Sequence, residues 1–522
     1  MKSVMKHDFS KVPDATIERS SFDRSHGFKT TFNAGELIPI FVDEALPGDT
    51  FNLSLAAFGR LATPLHPFMD NLFFETFFFA VPNRLLWENW QRFNGEQDNP
   101  ADSTDFLVPT MDAPLGGYQA GSLADYMGIP TLVQPLTHNS LHHRAYALIW
   151  NEWFRDQNLQ DSAHFDKDDG PDTDTDYPIR RRGKRHDYFT SALPWPQKGP
   201  SVTLPFTGNA PVFGLGSESP TTPSTGPINV AETGTVDTSY ASYFDGSGPR
   251  RVVVDDDGSG YPAVFANLNA VAAATINELR QAFQVQKLFE RDARGGTRYT
   301  EIIRSHFGVT SPDARLQRPE YLGGGSSSIN TNPVAQTSET GATTPQGNLA
   351  AVSTLTANGH GFTKSFTEHC VIIGLASVRA DLNYQQGLNR MWTRQTRFDY
   401  YWPALAHLGE QAILNKEIFA DGSANDELVF GYQERFAEYR YKPSTITGEF
   451  RSNFAQSLDT WHLALDEPAL PVLGDAFIQD NPPIDRIIAV PSSPHFLLDA
   501  YFTLRTARPM PVFSVPGLID HF

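Results

Sequence analysis

The segment "NLFFETFFFAVPNRLLWENW", residues 71–90, restricts the fold more than any other part of the chain. The ten positions 72–81 are Leu, Phe, Ala or Val except for Glu75 and Thr76. A membrane-spanning helix needs about 20 apolar residues, so this run is too short to cross a bilayer. Phe-rich sequences favour strands, and a strand that is apolar on both faces is typically covered on both sides. We therefore predict a doubly covered strand here.

The two faces of this strand have different requirements. Leu72, Phe74 and Phe78 share one face, which suits the core of a β-sandwich. The opposite face needs a second covering, either another layer of the same chain or a neighbouring subunit. Our interpretation is that copies of the chain cover part of this aromatic surplus. The aromatic patch, predicted to be core or inter-subunit surface, comprises Phe73, Phe77, Phe79, Trp87 and Trp90.

Composition and patterning extend the strand prediction to the whole chain. With 38 Phe, 38 Pro and 39 Gly in 522 residues, the sequence favours many strands joined by loops rich in Pro and Gly. Alternation at 51–56 predicts a half-buried strand, and strand-like segments return after residue 370. Helical spacing predicts helices at 139–159, within 264–294 and at 297–308. We therefore predict an all-β fold that carries long helical and loop insertions.

The domain organisation follows from shifts in composition along the chain. Residues 1–34 carry six Lys or Arg against four acids, and we predict an N-terminal arm on the inside of an assembly. Residues 35–522 are predicted to form a single domain. Its predicted insertions are 91–198 (helix and loops), 199–262 (a variable surface loop), 263–308 (helices) and 323–362 (a loop rich in Gly, Ser and Thr).

Charge and cysteine content exclude several classes of protein. The net charge of −19 repels nucleic acid on average, so any DNA contact must be local. A single cysteine, Cys370, excludes an internal disulfide framework and fits a reducing cytoplasm. The first 20 residues have no apolar core of a secretory signal, so secretion is disfavoured.

Motifs for catalysis, cofactors and metals are incomplete in this sequence. "GLGSES" at 214–219 lacks the last glycine of a dinucleotide loop, and a Gly-Lys-Ser/Thr phosphate loop is absent. "DTDTD" at 172–176 lacks the glycine and the glutamate of a calcium loop. His138 and His142 have helical spacing but no visible third ligand. We predict no catalytic residue, no cofactor and no metal site.

One charge cluster suggests a binding function. Five cations in six residues precede Tyr188 and Phe189, and cations with aromatic rings are the composition of a single-strand groove. Six aspartates at 166–176 lie just upstream and could instead neutralise the cluster through ion pairs. Both readings stay open from the sequence. The predicted DNA-binding residues are Arg180, Arg181, Arg182, Lys184 and Arg185.

Several long blocks resemble the major capsid proteins of the Microviridae, and of the gokushovirus branch in particular. They cover nearly the whole chain from about residue 35. The matching blocks are "GELIPIFVDEALPGDTFNLSLAAFGRLATPLHPFMDNLFFETFFFAVPNRLLW", "AYALIWNEWFRDQNLQ", "RRGKRHDYFTSALPWPQKG", "YTEIIRSHFGVTSPDARLQRPEYLGG" and "TRFDYYWPALAHLGEQAILNKEIF".

This resemblance implies an eight-stranded antiparallel jelly roll of the viral capsid type, assembled into a small T=1 icosahedral shell of about 60 copies. It also implies a circular single-stranded DNA genome and a threefold protrusion formed by 199–262 that serves host attachment. The implied partners are identical subunits, a scaffolding protein, a small basic DNA-packaging protein, a DNA pilot protein and a host receptor. Assembly in the host bacterial cytoplasm and localisation in the virion are expected, without membrane insertion.

A second hypothesis comes from a different class of protein. Trp-rich, acidic all-β chains are common among carbohydrate-binding and carbohydrate-cleaving β-sandwich proteins. Uniform small particles in electron microscopy would support the capsid hypothesis, whereas monomers that bind or hydrolyse glycans would support the carbohydrate hypothesis.

Overall fold

A computed structural model represents the protein. The chain divides into two compact units, one of Met1–Pro196 with Gly295–Phe522 and one of Gln197–Arg294. The residues that the structure describes are 18–200, 202, 212–213, 215–217, 242–244, 249–254, 265–266, 276–310, 317–337, 341 and 346–513.

The first unit is built on one nine-stranded sheet in which every pairing is antiparallel. Strands are numbered in chain order over both units. Those of the sheet are β1 (Ser20–Asp23), β2 (His26–Phe32), β3 (Ile38–Ala45), β4 (Thr50–Leu61), β5 (Leu72–Pro82), β13 (Glu320–Ala335), β14 (Leu349–Ser365), β15 (Cys370–Ala380) and β20 (Phe496–Arg508). Their order is β1-β20-β4-β14-β13-β5-β15-β3, and β2 also pairs with β20.

The sheet curls until its two ends meet around the main core. Phe41 lies on edge strand β3, yet its ring centroid is 5.2 Å from that of Phe502 on β20, near the opposite edge. Phe78 of β5 packs edge-on against the same Phe41 at 6.3 Å. An ion pair of 2.7 Å between Arg24 and Asp43 also joins the two ends. Curling lets one apolar face of the sheet form its own enclosed core.

The prediction of an all-β fold is confirmed for the main unit, as is the doubly covered strand. Strand β5 buries residues on both faces, and β4 alternates buried and exposed positions along its whole length, as its sequence predicts. Strands β15 and β20 lie where strand-like segments were predicted. The structure has nine strands in one sheet, whereas the resemblance implied eight.

The prediction that residues 323–362 form a loop is wrong, because the two longest strands of the sheet, β13 and β14, occupy most of this range. The glycines that suggested a loop have a packing role. A Cβ on Gly324 would collide with the carbonyl of Thr76, and one on Gly325 with the ring of His360. Glycine here allows two backbones to approach closely beside the phenylalanines of β5.

The prediction of a separate N-terminal arm at 1–34 is also wrong for its described part, residues 18–34. Strands β1 and β2 both pair with β20, so residues 20–32 belong to the central sheet. Lys29, one of the six cations, forms an ion pair of 2.8 Å with Asp499 of β20. In β2 the less exposed positions Phe28, Thr30 and Phe32 alternate with exposed ones, and both phenylalanines pack in the main core. This alternation favours pairing in the sheet over a free N-terminal tail.

Helices and small strands surround the sheet in the first unit. Helix α3 is confirmed within the predicted 139–159 segment and continues as a π-helical turn over Trp150–Phe154. Strands β17 and β18 form a hairpin, β6 pairs with β7, and β16 pairs with β19. These elements are α1 (Trp90–Phe93), α2 (Leu123–Tyr126), α3 (Leu141–Ile149), α5 (Tyr299–Phe307), α6 (Asn415–Ile418), α7 (Asp475–Ile478), β6 (Thr110–Asp112), β7 (Thr137–Asn139), β16 (Asn383–Tyr384), β17 (Glu410–Leu414), β18 (Val429–Glu434) and β19 (Ser444–Thr445).

The second unit contains helix α4 (Ile276–Arg294), which confirms the helix predicted within 264–294. Helix α5, which was assigned to the same insertion, falls in the first unit. The range 35–522 therefore contains two compact units and not one domain. Most of the predicted surface loop 199–262 lies outside the described residues. Its described strands are β8 (Val212–Phe213), β9 (Leu215–Ser217), β10 (Ser242–Phe244) and β11 (Pro249–Val254), and β12 (Phe265–Ala266) pairs with β8.

Candidate functional site

The aromatic patch belongs mainly to a second core on the outer face of the curled sheet. Phe79 of β5 is 1% exposed and packs with Val371 and Ile373 of the neighbouring strand β15. Helix α3 covers these side chains through Leu141, Ala145 and Ile149. The chain's own helical insertion is therefore the second covering of β5.

Both tryptophans of the patch are held by groups of the same chain. Trp87 is fully buried, and its indole Nε1 donates a hydrogen bond of 2.6 Å to the carboxylate of Asp169. Hydrogen bonds from Asn89 and Trp87 hold the pKa of Asp169 below its ordinary value. Trp90 is partly buried, and its ring centroid lies 6.3 Å from that of Trp87. Of the two predicted alternatives, the core holds for Phe79 and Trp87, so the interpretation that copies of the chain cover them is wrong.

Glu75, the only charged residue within the apolar run 72–81, is surrounded by arginines. Its carboxylate forms an ion pair of 2.9 Å with Arg379 of β15 and a direct hydrogen bond with Arg182. Arg185 lies 3.6 Å away and also reaches Asp381 at 3.4 Å. A charge in the middle of a largely buried strand is expected to have an opposite charge nearby, and Glu75 has three partly buried arginines.

Aromatic rings of the patch lie beneath these same cations. The guanidinium of Arg182 is 4.4 Å from the ring centroid of Phe77, and that of Arg185 is 4.3 Å from Phe73. Burial and the nearby Arg379 lower the pKa of Arg182 to about 10. Thus Phe73 and Phe77 do not form a bare apolar surface, since each carries a cation on one face.

Lys184 and Asp480 are buried next to this group. The Lys184 ammonium lies 4.3 Å from the ring of Phe477, and burial lowers its pKa. Burial raises the pKa of Asp480 to about 7, although Arg379, Lys184, Arg182 and Arg181 oppose that shift. Within the described residues, the Oδ2 atom of Asp480 has no hydrogen-bond partner. A carboxyl group in such a site favours its neutral form.

The remaining two cations of the cluster, Arg180 and Arg181, differ in how many polar contacts they make within the chain. Arg181 donates hydrogen bonds of 3.1 Å to the carbonyl of Ala34 and to the Asn481 side chain. Arg181 also lies 4.0 Å from Glu36, whereas Arg180 stacks 5.2 Å from the Trp150 ring and has no carboxylate within 4.0 Å in the described part of the chain. Arg180 is thus the arginine of the cluster whose charge is least neutralised by the fold, and Lys184, which also lacks an ion pair, is buried.

The upstream aspartates neutralise a different cation. Arg144 of helix α3 is completely buried and forms ion pairs of 2.6 Å with Asp172 and 3.2 Å with Asp168. Its Nε also donates to Asp172 at 2.7 Å, which makes the pair bidentate. The ion-pairing alternative is therefore realised for the basic cluster, but through Glu75 and Asp381 rather than the aspartates at 166–176.

The stacking part of the DNA-binding prediction is wrong. Tyr188 and Phe189 are each 4% exposed and pack in a third core with Ile413 and Phe430. The Tyr188 hydroxyl donates to the buried carboxylate of Glu417 at 2.9 Å. Neither ring can stack on a base, so phosphate contact by the cations of the cluster stays a prediction.

Sequence reasoning missed the residues that organise this site. Arg379, Asp480 and Arg144 come from distant parts of the chain, and only proximity in the fold connects them to residues 75 and 168–185. The available signal was Glu75 itself, because a single carboxylate among phenylalanines requires a cation nearby.

The described residues contain neither a cluster of metal-ligating side chains nor a helix that could cross a bilayer. Among them, no three His, Cys, Asp or Glu side chains converge as a metal site would require. His138 instead contacts the Tyr118 hydroxyl at 2.8 Å, and burial lowers the pKa of His142. The helices of this part of the chain are too short or too polar to span a bilayer.

Comparison with known proteins agrees with the β-rich structure. A family model described as "Capsid protein (F protein)" matches residues 10–518. The chain is 48% identical over 530 residues to capsid protein VP1 of Bdellovibrio phage phiMH2K, covering 99% of this chain and 98% of that protein. It is 46% identical to capsid protein VP1 of Chlamydia phage 1, with the same two coverages.

A more distant relative extends this similarity. Capsid protein VP1 of Spiroplasma virus 4 is 38% identical over 550 residues, covering 98% of this chain and 97% of that protein. Identity of this level over the full length of both chains implies a shared fold. The carbohydrate hypothesis finds no support in these matches. On this evidence the chain belongs to the capsid protein (F protein) family, whose members are structural proteins and not enzymes.

Proposed function

We propose that this chain is the main subunit of a closed T=1 icosahedral shell of about 60 copies that encloses a circular single-stranded DNA genome. The observation that carries the proposal is the full-length similarity to three phage capsid proteins. The curled sheet supports it, because a sheet that encloses its own core and has a covered outer face suits the building block of a shell. The virion is then the location of the assembled protein.

The proposed core is a jelly roll of the viral capsid type. Strands β1 and β2 pair with different parts of the same edge of β20, at 505–508 and 496–502. Together they fill one strand position, so the nine strands occupy eight positions. Such an arrangement is compatible with the eight-stranded sandwich that the family resemblance implies.

The proposed relation to the genome is weak and local. The net charge of −19 disfavours a broad DNA-binding surface. Most cations at 180–185 are neutralised in the fold, which leaves Arg180 as the best candidate of the cluster for a phosphate contact. We assign the remaining neutralisation of the genome to a small basic DNA-packaging protein.

The other proposed partners follow from the family. A scaffolding protein would guide assembly in the host bacterial cytoplasm, and a DNA pilot protein would accompany the genome. Residues 199–262 are proposed to form a protrusion at the threefold axes that contacts the host receptor. Their abundance of Gly, Ser, Thr and Pro is typical of long functional loops.

Expression of the chain with and without its phage partners tests the proposal. Electron microscopy and native mass spectrometry should detect uniform closed particles, and nuclease treatment should leave DNA protected inside virions. A chain that remains monomeric with all phage partners present, or that forms only open sheets, would contradict the proposal.

A further inference from the structure

The segment 388–402 presents an unusual number of exposed aromatic side chains, together with Tyr439. Trp392 is 71% exposed and Phe398 is 64% exposed, and the other four rings lie between 41% and 52%. We define the exposed aromatic surface as Trp392, Phe398, Tyr400, Tyr401, Trp402 and Tyr439. Tyr400 and Tyr439 both contact the Arg394 guanidinium, and Tyr401 lies 6.2 Å from Tyr439, so these three rings form a contiguous area. Monomeric proteins rarely expose large contiguous apolar areas.

This surface is held in a fixed shape by the chain beneath it. Asp399 accepts hydrogen bonds from the backbone and the hydroxyl of Thr396 at 2.6 and 2.9 Å. Tyr401 packs on Phe436 with a centroid distance of 5.3 Å, and Arg435 donates to the carbonyl of Phe398 at 3.0 Å. Ordered rings lose little entropy when a partner covers them, so the surface is prepared for binding.

The cations within this surface are largely neutralised. Arg394 pairs with Glu438 at 3.3 Å and stacks 4.2 Å from Tyr439. Arg390 pairs with the buried Glu417 at 2.9 Å. Nucleic-acid affinity depends chiefly on cations that are free to meet phosphates, and few are free here. The surface therefore suits a protein partner better than single-stranded DNA, although both could use its rings.

The chemistry of the surface also matches a copy of the same chain. Aromatic residues and arginine are enriched in the energetic centres of protein interfaces. Arg397 stacks 4.5 Å from Trp402 and has no carboxylate partner among the described residues, while the chain as a whole carries 60 acids against 41 cations. An acidic neighbour would supply that missing carboxylate.

The size of the surface agrees with this assignment. Each aromatic side chain contributes about 150–250 Å², so six half-exposed rings offer on the order of 600 Å². A stable interface needs roughly 800 Å² from each partner. The side chains of Leu388 and Met391, 39% and 50% exposed, lie in the same segment, and Leu408, at 62%, follows it in the chain.

We infer that the exposed aromatic surface is an inter-subunit contact, covered in the assembled shell by a second copy of this chain. This inference rests on the proposed function, since it names the surface through which the subunits meet. It also replaces the aromatic patch of β5 as the apolar surface that drives assembly.

The test is a double substitution, Trp392→Glu with Phe398→Glu, in the full chain expressed with its phage partners. We expect a folded protein whose assembly requires a concentration higher by tenfold or more, on the order of one lost interface hot spot. The matched control is Leu107→Glu with Leu115→Glu, because these side chains are even more exposed, at 84% and 93%. The control should form shells at the wild-type concentration.

Oxidative footprinting of the wild-type protein provides a second measurement that needs no variant. Trp392 and Met391 should be oxidised in unassembled subunits and protected in shells, including shells emptied of DNA. Protection only in DNA-filled shells would assign the surface to nucleic acid and overturn the inference. The inference would also be overturned if the Trp392/Phe398 variant formed shells at the wild-type yield. The same holds if the control variant lost as much shell assembly as the Trp392/Phe398 variant. Failure of the wild type to form shells would refute the proposed function instead.

Discussion

Glu75 and Arg379 lie on the neighbouring strands β5 and β15 and form an ion pair of 2.9 Å on the outer face of the curled sheet. The two residues are 304 positions apart in the sequence. Arg182 completes the group from a third segment of the chain. The Glu75 carboxylate thus links the sheet to the loop that carries the basic cluster, and the ion pairs are expected to stabilise both.

The first prediction concerns Glu75. In Glu75→Gln, Arg182 and Arg379 lose their shared counter-charge while they stay partly buried, at 14% and 13% side-chain exposure. We expect the free energy of unfolding to fall by about 3–5 kcal/mol, as when one partner of a buried pair is removed. Chemical denaturation of unassembled subunits measures this loss. Glu96→Gln, at an exposed site, is the control, and an equal effect in both variants would contradict the prediction.

The second prediction concerns the pH dependence that Asp480 causes. Burial raises its pKa from 3.8 in the unfolded chain to about 7 in the folded protein. The folded state then binds more protons than the unfolded state between these two values. Stability from this group is therefore complete below about pH 4 and is lost as pH rises towards 7, by about 1.4 kcal/mol per unit within that range.

Asp480→Asn tests this sign, because asparagine cannot ionise. The stability of the variant relative to the wild type should increase between pH 4 and pH 7 in denaturation experiments. A variant that loses stability relative to the wild type as pH rises would show that the carboxylate is ionised and paired with Lys184 and its neighbours.

The third prediction concerns the bidentate pair of Arg144. In Arg144→Lys the charge is kept, but an ammonium cannot meet both oxygens of Asp172 and also the carbonyls of Leu86 and Asp168. We expect a loss of about 2–3 kcal/mol in the free energy of unfolding, the scale of charged hydrogen bonds. Arg92→Lys, an exposed pair, should change stability by less than about 0.5 kcal/mol. Equal losses of stability in Arg144→Lys and Arg92→Lys would refute the role of the bidentate guanidinium contact.

The fourth prediction separates DNA contact from folding within the basic cluster. Arg180→Gln should give normal shells that retain less DNA, because its guanidinium has no carboxylate partner in the described residues. The slope of DNA retention against salt should fall by about 0.7 for one lost phosphate contact. Arg182→Gln should instead reduce the yield of folded protein. Unchanged DNA content and salt slope in Arg180→Gln would exclude the contact.

The fifth prediction concerns residues 199–262. If this loop forms the protrusion, a chain with the loop shortened should still assemble, and its particles should adsorb poorly to host cells. Particle yield by electron microscopy and adsorption counts measure the two properties separately. Loss of assembly with normal adsorption of the remaining particles would contradict the assignment.

The strands were largely predictable, and the two longest exceptions, β13 and β14, have a physical cause. The alternation in β4 and the double apolar faces of β5 predict their burial directly. Glycine and serine misled the prediction at β13, because these residues favour loops unless close backbone packing requires them. At Gly324 and Gly325 only the neighbouring strands reveal that requirement.

The candidate site was less predictable than the strands. The basic cluster was visible as five cations in six residues, but whether those cations are free or paired depends on residues far away in the chain. Glu75 and Asp381 are more than 100 positions from Arg182 and Arg185, respectively. Local composition carries no information about such contacts, since they form only when the sheet is assembled.

The amino-acid sequence alone determined the secondary structure of the apolar run 72–81 and the acidic character of the chain. Both can be read from the residues themselves, without knowledge of which segments pack together. The family resemblance was also readable in the sequence. Only the tertiary structure decided what covers the second face of β5, which carboxylates neutralise the arginines, and which aromatic rings remain exposed at 392–402. Burial is a property of the whole packed chain, since each side chain's neighbours come from segments that the sequence does not place together.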